Sequence, residues 1–213
     1  SWKLEGDNAT FTINTSDPVH PNNPHYAVLN IQQPGAVLTN AGFDGIALQA
    51  GEKYDFSLFG RIPAGHKSNK LQVRLIDSNG TVQGEASITV SSRSCKTYKT
   101  VLTAKTAADT HLELQLQSVG EVELDMISLF PQNTFKGRKN GLRADLAQTL
   151  ADIHPRFVRF PGGCVAHGDG LKNIYQWKNT IGPLEARKSA RNLWGDHQSM
   201  GLGYYEYFQF CED

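Results

Sequence analysis

The hydrophobic period of the chain changes once. From about Ala9 to Phe130 apolar and polar positions alternate. The alternation runs through Ala9–Asn14 and His25–Ile31, then through Tyr54, Phe56 and Leu58, and through Leu71, Val73 and Leu75. It returns at Leu112, Leu114 and Leu116, and at Val122, Leu124 and Met126. A period of two with one polar face predicts antiparallel strands that cover a core on one side. Asp77-Ser-Asn-Gly80 lies between two such runs. It predicts a hairpin, because Asn-Gly readily takes the positive φ angles of a tight turn. Roughly eight or nine short strands separated by Gly, Pro, Asn and Ser predict a sandwich or jelly roll.

After Phe130-Pro131 the pattern is different. Gln132 to Gly141 is a polar loop. Leu142, Leu146, Leu150 and Ile153 recur at helical spacing, with Ala144, Ala147 and Ala151 as good helix formers, and Pro155 ends the helix. Arg156 to Phe160 reads as a buried parallel strand. Pro161-Gly-Gly163 reads as the turn where that strand opens into a loop, the end at which β/α barrels build active sites. Pro161 to Gly201 has little periodicity and is too long for a plain connector. Gly201 to Asp213 starts a helix with Leu202, Tyr205, Phe208 and Cys211 on one face.

The expected fold class is therefore mainly β: a jelly-roll β-sandwich over residues 1–130, followed by an incomplete (β/α)8 barrel segment over 131–213. A closed barrel needs ~250 residues, so only about two β/α units are present. Such units leave strand edges and apolar helix faces uncovered. Either a homo-oligomer or the missing remainder of the barrel is expected to cover them.

Composition narrows the function classes. Hydrophobic residues are 39% and charged residues 20%, and 21 basic side chains balance 21 acidic ones. No net field draws the chain to nucleic acid or to an anionic membrane, so neither is an expected partner. No apolar run approaches the ~20 residues of a membrane span. Ser1 opens directly into Trp-Lys-Leu-Glu, so no secretory leader is read there; processing explains that equally well. Cys95, Cys164 and Cys211 form no Cys-x-x-Cys pair, and the seven histidines form no His-x-x-x-His pair. Neither a disulfide framework nor a zinc site is expected, and no cofactor is implied.

Several stretches together resemble one family. They are Met126 to Arg143, Arg159-Phe-Pro-Gly-Gly-Cys164, Tyr175-Gln-Trp-Lys-Asn-Thr-Ile-Gly-Pro183 and Gly201-Leu-Gly-Tyr-Tyr-Glu-Tyr207. In this order and spacing they resemble the α-L-arabinofuranosidases of glycoside hydrolase family 51. The β region fits a subgroup that carries a carbohydrate-binding-module-like (galactose-binding-like) jelly roll, and Asn22-Asn-Pro-His-Tyr26 resembles the start of that module.

The resemblance implies retaining hydrolysis of terminal arabinofuranosides on plant polysaccharides such as arabinan and arabinoxylan. Arabinose-containing glycans would be the partners, and an extracellular or periplasmic location would follow. The family's acid/base glutamate follows an asparagine on a later strand, and the nucleophile is later still. Neither can be placed here, so this chain alone is expected to be inactive. An accessory glycan-binding or purely structural role is the alternative.

Arg159 stands first among candidate site residues. Apolar neighbours Val158 and Phe160 predict a partly buried guanidinium, which needs a carboxylate or a sugar hydroxyl. It either lines the site or closes the barrel through an internal ion pair; the resemblance favours the site, since the matching arginine lies in the substrate pocket. Gly162 and Gly163 permit a sharp turn and close approach of a ligand to the backbone. Cys164 falls where some family members have an asparagine that lines the sugar pocket, and it is equally readable as an inert cysteine. Trp177 shapes a subsite or pins the loop; Trp194-Gly-Asp-His197 is a weaker version of the same.

Asp169, Glu185 and Asp196 are the loop acids open to chemistry, each also readable as a solvated surface group. In the β region Gln72, Arg74, Glu113, Gln115 and Gln117 line polar strand faces, as a glycan-binding or merely solvated surface, while Tyr54, Phe56 and Phe59 read as core. Asp125 is the candidate ligand for the structural calcium that related modules hold near that position.

Overall fold

The structure, a computed structural model, describes residues 2–213. Strands account for most of the first unit, which comprises residues up to Thr15 and His25–Ala144. In chain order they are β1 (Trp2–Glu5), β2 (Ala9–Asn14), β3 (Tyr26–Ile31), β4 (Val37–Asn40), β5 (Ile46–Leu48), β6 (Lys53–Arg61), β7 (Asn69–Asp77), β8 (Val82–Val90), β9 (Lys96–Thr103), β10 (Ala108–Leu116) and β11 (Gly120–Pro131). One sheet has the order β1-β4-β10-β7-β8, with β5 also on β10; the other has the order β2-β3-β11-β6-β9. Every pairing is antiparallel. The expected sandwich is present.

The alternation places the core. Leu71, Val73 and Leu75 of β7 and Leu112, Leu114 and Leu116 of β10 are buried, and so are Phe56 and Leu58 of β6 and Val122 and Leu124 of β11. They form one cluster between the sheets. The Asp77–Gly80 hairpin joins β7 to β8, with Gly80 at φ 81°. The Asp77 carboxylate caps the turn by accepting the Asn79 and Thr81 N–H groups, each at 2.9 Å. Phe56 is buried as expected, whereas Phe59 points to the outer face, opposite Asp125.

The first unit runs past the expected boundary at residue 130, to Ala144. The reason is hydrogen bonding. Gln132 N–H donates to the Lys53 carbonyl at 2.9 Å, and its side chain donates to Asp55 Oδ1 at 2.7 Å. Asn133 donates to Glu52 Oε1 at 3.0 Å, and Phe135 is buried.

The second unit comprises Ser16–Pro24 and Asp145–Asp213. It contains helices α1 (Ala144–Asp152, whose first residue is assigned to the other unit), α2 (Gly163–His167) and α3 (Tyr204–Glu212), and a two-stranded ribbon of β12 (Ala190–Arg191) and β13 (His197–Gln198). Three-residue and four-residue 3₁₀ turns lie at Leu184–Ala186 and Trp177–Thr180. The stretch expected to be a long loop is thus a series of short built elements. The helix expected at 142–153 is α1, but its apolar stripe faces solvent: Leu146 is 56% exposed, Leu150 51% and Ile153 68%.

Arg156–Phe160, expected as a barrel strand, is not one here. A parallel strand exists only through hydrogen bonds to a neighbour, and among the described residues no strand pairs with it. For the same reason Phe157 and Val158 are exposed rather than buried.

Candidate functional site

The second unit is organised around a buried arginine that the sequence reading did not single out. Arg187 is 4% exposed. Its Nη1 and Nη2 donate to the Glu206 carboxylate on α3 at 3.0 and 2.7 Å. Nη1 also meets the carbonyls of Met200 and Gly201 at 3.0 and 2.9 Å, and Nε meets that of Gly182 at 3.1 Å. A buried guanidinium is tolerated only when its donors are met in this way. The backbone beside it is held by Asn22, which donates to the Ala186 carbonyl at 2.6 Å, and by Asn23, which donates to those of Glu185 and Arg187 at 2.5 and 3.2 Å. That explains why Ser16–Pro24 belongs to this unit. The Asn22-Asn23 pair was legible as a motif, but not as a brace for a segment so far along the chain.

Glu206 is pushed up by partial burial, and the Arg187 and Gly203 hydrogen bonds more than reverse this, so its carboxyl lies below the ordinary range. It is held ionised. Gly203 precedes α3 and packs so closely on Thr180 that a Cβ would lie 1.9 Å from the Thr180 carbonyl oxygen. The Thr180 hydroxyl accepts the Tyr204 N–H at 2.9 Å.

An aromatic group lies beside this hub. Phe160 stacks on Tyr207 with centroids 3.6 Å apart and meets Tyr175 edge-on at 5.4 Å. Burial holds both tyrosine hydroxyls above their ordinary pKa, so they remain protonated. α3 therefore packs through Tyr204 and Tyr207, and the expected face of Leu202, Tyr205, Phe208 and Cys211 is exposed. The i, i+3 pair Tyr204 and Tyr207 was the signal for this face. Trp177 is half-exposed and packs on Tyr204 at 5.7 Å. It helps to fix the loop, with one part of its ring open.

Arg159 and Gly163 come together. The Arg159 Nη2 is 3.5 Å from the place a Cβ on Gly163 would occupy. Arg159 is exposed rather than partly buried, because no strand flanks it. Among the described residues it makes no ion pair. Gly162, at φ 92°, provides the turn into α2.

Cys164, exposed on α2, also borders a cavity of about 110 Å³, whose wall continues through Lys172, Asn173, Gln176, Asn179, Lys188 and Arg191. Arg159, Gly163 and Trp177 do not border it. Of the loop acids, Asp169 is paired with Arg191, and Glu185 uses its carbonyl to hold Asn23. Asp196 sits at the ribbon turn, where the Asn192 side chain accepts the Trp194 and Asp196 N–H groups.

On the outer face of the sandwich several of the polar side chains engage one another, although the buried Arg74 Nε has no partner among the described residues. Arg74 pairs with Glu113 at 2.6 Å, Gln72 donates to Glu85 at 3.2 Å, and Ser87 donates to Gln72 at 2.5 Å. Asp125 is different. Its Oδ1 accepts the Met126 N–H at 2.7 Å, while its buried Oδ2 has no partner. Burial raises its pKa. Met126 has φ 46° where the β11–β6 register slips. Opposite Asp125 is Phe59, and the nearby Glu123 is engaged by Arg61. Among the described residues no three His, Cys, Asp or Glu side chains gather as a metal group. A calcium ion at Asp125 would therefore have to take the rest of its about six to eight oxygens from backbone carbonyls, side-chain amides and water.

A family model described as the alpha-L-arabinofuranosidase 1 domain matches residues 149–213. An extracellular exo-alpha-L-arabinofuranosidase of Streptomyces chartreusis is 40% identical, over 100% of this chain and 26% of its own length. Alpha-L-arabinofuranosidase 1 of Arabidopsis thaliana is 38% identical, over 84% of this chain and 26% of that protein. A solved structure of an arabinose-bound GH51 α-L-arabinofuranosidase superposes with a TM-score of 0.92 at 31% identity, over 100% of this chain and 36% of that one. The chain spans about a quarter of the length of these two curated relatives.

Proposed function

The chain belongs to the α-L-arabinofuranosidases of glycoside hydrolase family 51, and on that premise we propose that it forms the substrate-side part of a retaining enzyme. That enzyme removes terminal arabinofuranosyl groups from plant polysaccharides such as arabinan and arabinoxylan. The observation that carries this is the Arg159–Cys164 turn. It offers an exposed guanidinium without an internal ion pair, set against glycine backbone. A guanidinium in that condition has its fork of N–H donors available for sugar hydroxyls or for a carboxylate. Gly163 keeps the approach to it open; Cys164, from the wall of the neighbouring cavity, and the half-exposed Trp177, on the loop against Tyr204, are proposed as further sugar contacts.

Retention of configuration needs two carboxyl groups about 5–5.5 Å apart, one as acid/base and one as nucleophile. The ion-paired acids of this unit are poorly suited. Asp169 is committed to Arg191 and Glu206 to Arg187. Glu206 is moreover held ionised, the wrong state for a proton donor. Both catalytic glutamates are therefore proposed to lie outside these 213 residues. The exposed stripe of α1 and the exposed Phe157 and Val158 are then the surface that the rest of a barrel covers; self-association is the alternative cover. An extracellular location is proposed from the same premise.

The test is hydrolysis of 4-nitrophenyl α-L-arabinofuranoside by a protein of the relatives' length that contains this stretch, with the first-formed sugar followed by NMR. The α-anomer is expected first. Initial β-arabinofuranose, or turnover of β-D-xylopyranoside alone, would overturn the reading.

A further inference from the structure

The cavity beside Cys164 has an electrostatic feature that the arabinofuranosyl reading does not use. Lys172, Lys188 and Arg191 border it, and no carboxylate does. Arg191 is already neutralised by Asp169. Lys172 and Lys188 have no ion pair and no side-chain hydrogen bond among the described residues. The wall between them is amide-rich, with Asn173, Gln176 and Asn179. Asn173 is fixed by donating to the Arg191 carbonyl at 2.6 Å, so that side of the cavity is preformed. In a chain of zero formal net charge, two lysines without an ion pair bordering one cavity make a local field that attracts anions.

We propose that this cavity is a subsite for a negatively charged sugar, a uronate unit carried by the glycan near the arabinofuranosyl group. The lysines meet its carboxylate, and the amides meet its hydroxyls. That the charge is carried by a sugar rests on the proposed function. A phosphate is disfavoured by the chemistry of the wall. Its one forked cation is committed to Asp169, and α2, of five residues, is too short to present a helix dipole. The pair of exposed lysines suits a singly charged, partly solvated carboxylate.

The test is an amide-resolved NMR titration of the full 213-residue chain at low ionic strength. The probes are sodium D-galacturonate, its neutral methyl ester, sodium phosphate and methyl α-L-arabinofuranoside. Galacturonate is expected to shift the amides around Lys172–Asn173 and Lys188–Arg191, and to bind about tenfold more tightly than the ester, as two partly screened charge contacts allow. Lys172→Met with Lys188→Met is expected to abolish that preference while leaving the other resonances in place. The proposal is overturned if galacturonate does not bind, if acid and ester bind alike, if the double variant keeps the preference, or if phosphate binds there as tightly as galacturonate. Methyl α-L-arabinofuranoside, locked in the furanose form, reads the underlying function separately, through shifts at Gly162–Cys164. Failure of the furanoside to shift those amides, with uronate binding intact, would count against Arg159 and Gly163 as its binding residues and leave the anion subsite standing.

Discussion

Arg187 holds Glu206 with two parallel hydrogen bonds, of 2.7 and 3.0 Å, and the same Glu206 Oε2 accepts the Gly203 N–H at 2.8 Å. One side chain thereby fastens the start of α3 to the turns at Gly182 and Met200. This relationship orders the second unit without a large apolar core. It also sets the direction of the first two predictions.

Replacing Arg187 with Met removes the hub and leaves three carbonyls and a carboxylate without their donor. Loss of one partner of a buried pair costs about 3–5 kcal/mol. The Glu206 side chain is 24% exposed, so the lower end is expected. Arg187→Met should melt the second unit well before the sandwich, which amide exchange resolved by residue would show. Equal melting of both units would contradict the hub.

Acid should act on the same pair. The folded Glu206 carboxyl lies below its ordinary value of 4.5. Its contribution is therefore complete above that value and disappears as pH falls through the lowered one. The second unit should lose stability below about pH 4.5, and Glu206→Gln should flatten that dependence while lowering stability at neutral pH. Thermal melts between pH 3 and 7 would check both.

Two glycines should respond in opposite ways. A Cβ on Gly203 would collide with the Thr180 carbonyl, so Gly203→Ala is expected to cost about 2–4 kcal/mol. Gly163 has ordinary backbone angles, and a Cβ there would meet only the Arg159 guanidinium at 3.5 Å. Gly163→Ala should fold normally and weaken binding of methyl α-L-arabinofuranoside. A stability loss at Gly163 as large as that at Gly203 would argue for a purely structural turn.

The sandwich has one poorly accommodated charge. Burial raises the Asp125 carboxyl above its ordinary value of 3.8, so the folded state favours the protonated form. The associated stability is present at low pH and is lost as pH rises through the raised value. Asp125→Asn retains the acceptor for Met126 N–H and removes the charge. It should stabilise the chain at pH 7 by on the order of 1 kcal/mol, after allowance for partial solvent screening. The gain should vanish towards pH 3.8. A calcium-dependent rise in melting temperature of the unsubstituted chain would instead support a metal at this carboxylate.

Most of the sandwich was legible because alternation of a single buried face is a strong local signal. Leu71–Leu75 and Leu112–Leu116 sit in the core as their pattern requires. The second unit was less legible for two reasons. The Arg156–Phe160 run is apolar enough for a buried strand, but strand formation depends on a neighbour. The Arg187 hub draws on Asn22, Asn23, Gly182, Met200 and Glu206, partners scattered along the chain and without a period. Of the proposed site residues, Arg159 and Gly163 were legible as a turn motif. Lys172 and Lys188 were not, since only folding shows that neither has a carboxylate beside it.

The central claim is that these residues bind the arabinofuranosyl group while the catalytic carboxylates lie elsewhere. Its most direct test is the turnover of 4-nitrophenyl α-L-arabinofuranoside by the 213-residue chain, beside a protein of the relatives' length that contains it. The account predicts no turnover by the chain and turnover by the longer protein, reduced about a hundredfold by Arg159→Ala through loss of a charge-assisted hydrogen bond. Turnover by the 213-residue chain itself would contradict it and return Asp169, Glu185 and Asp196 to candidacy as catalysts.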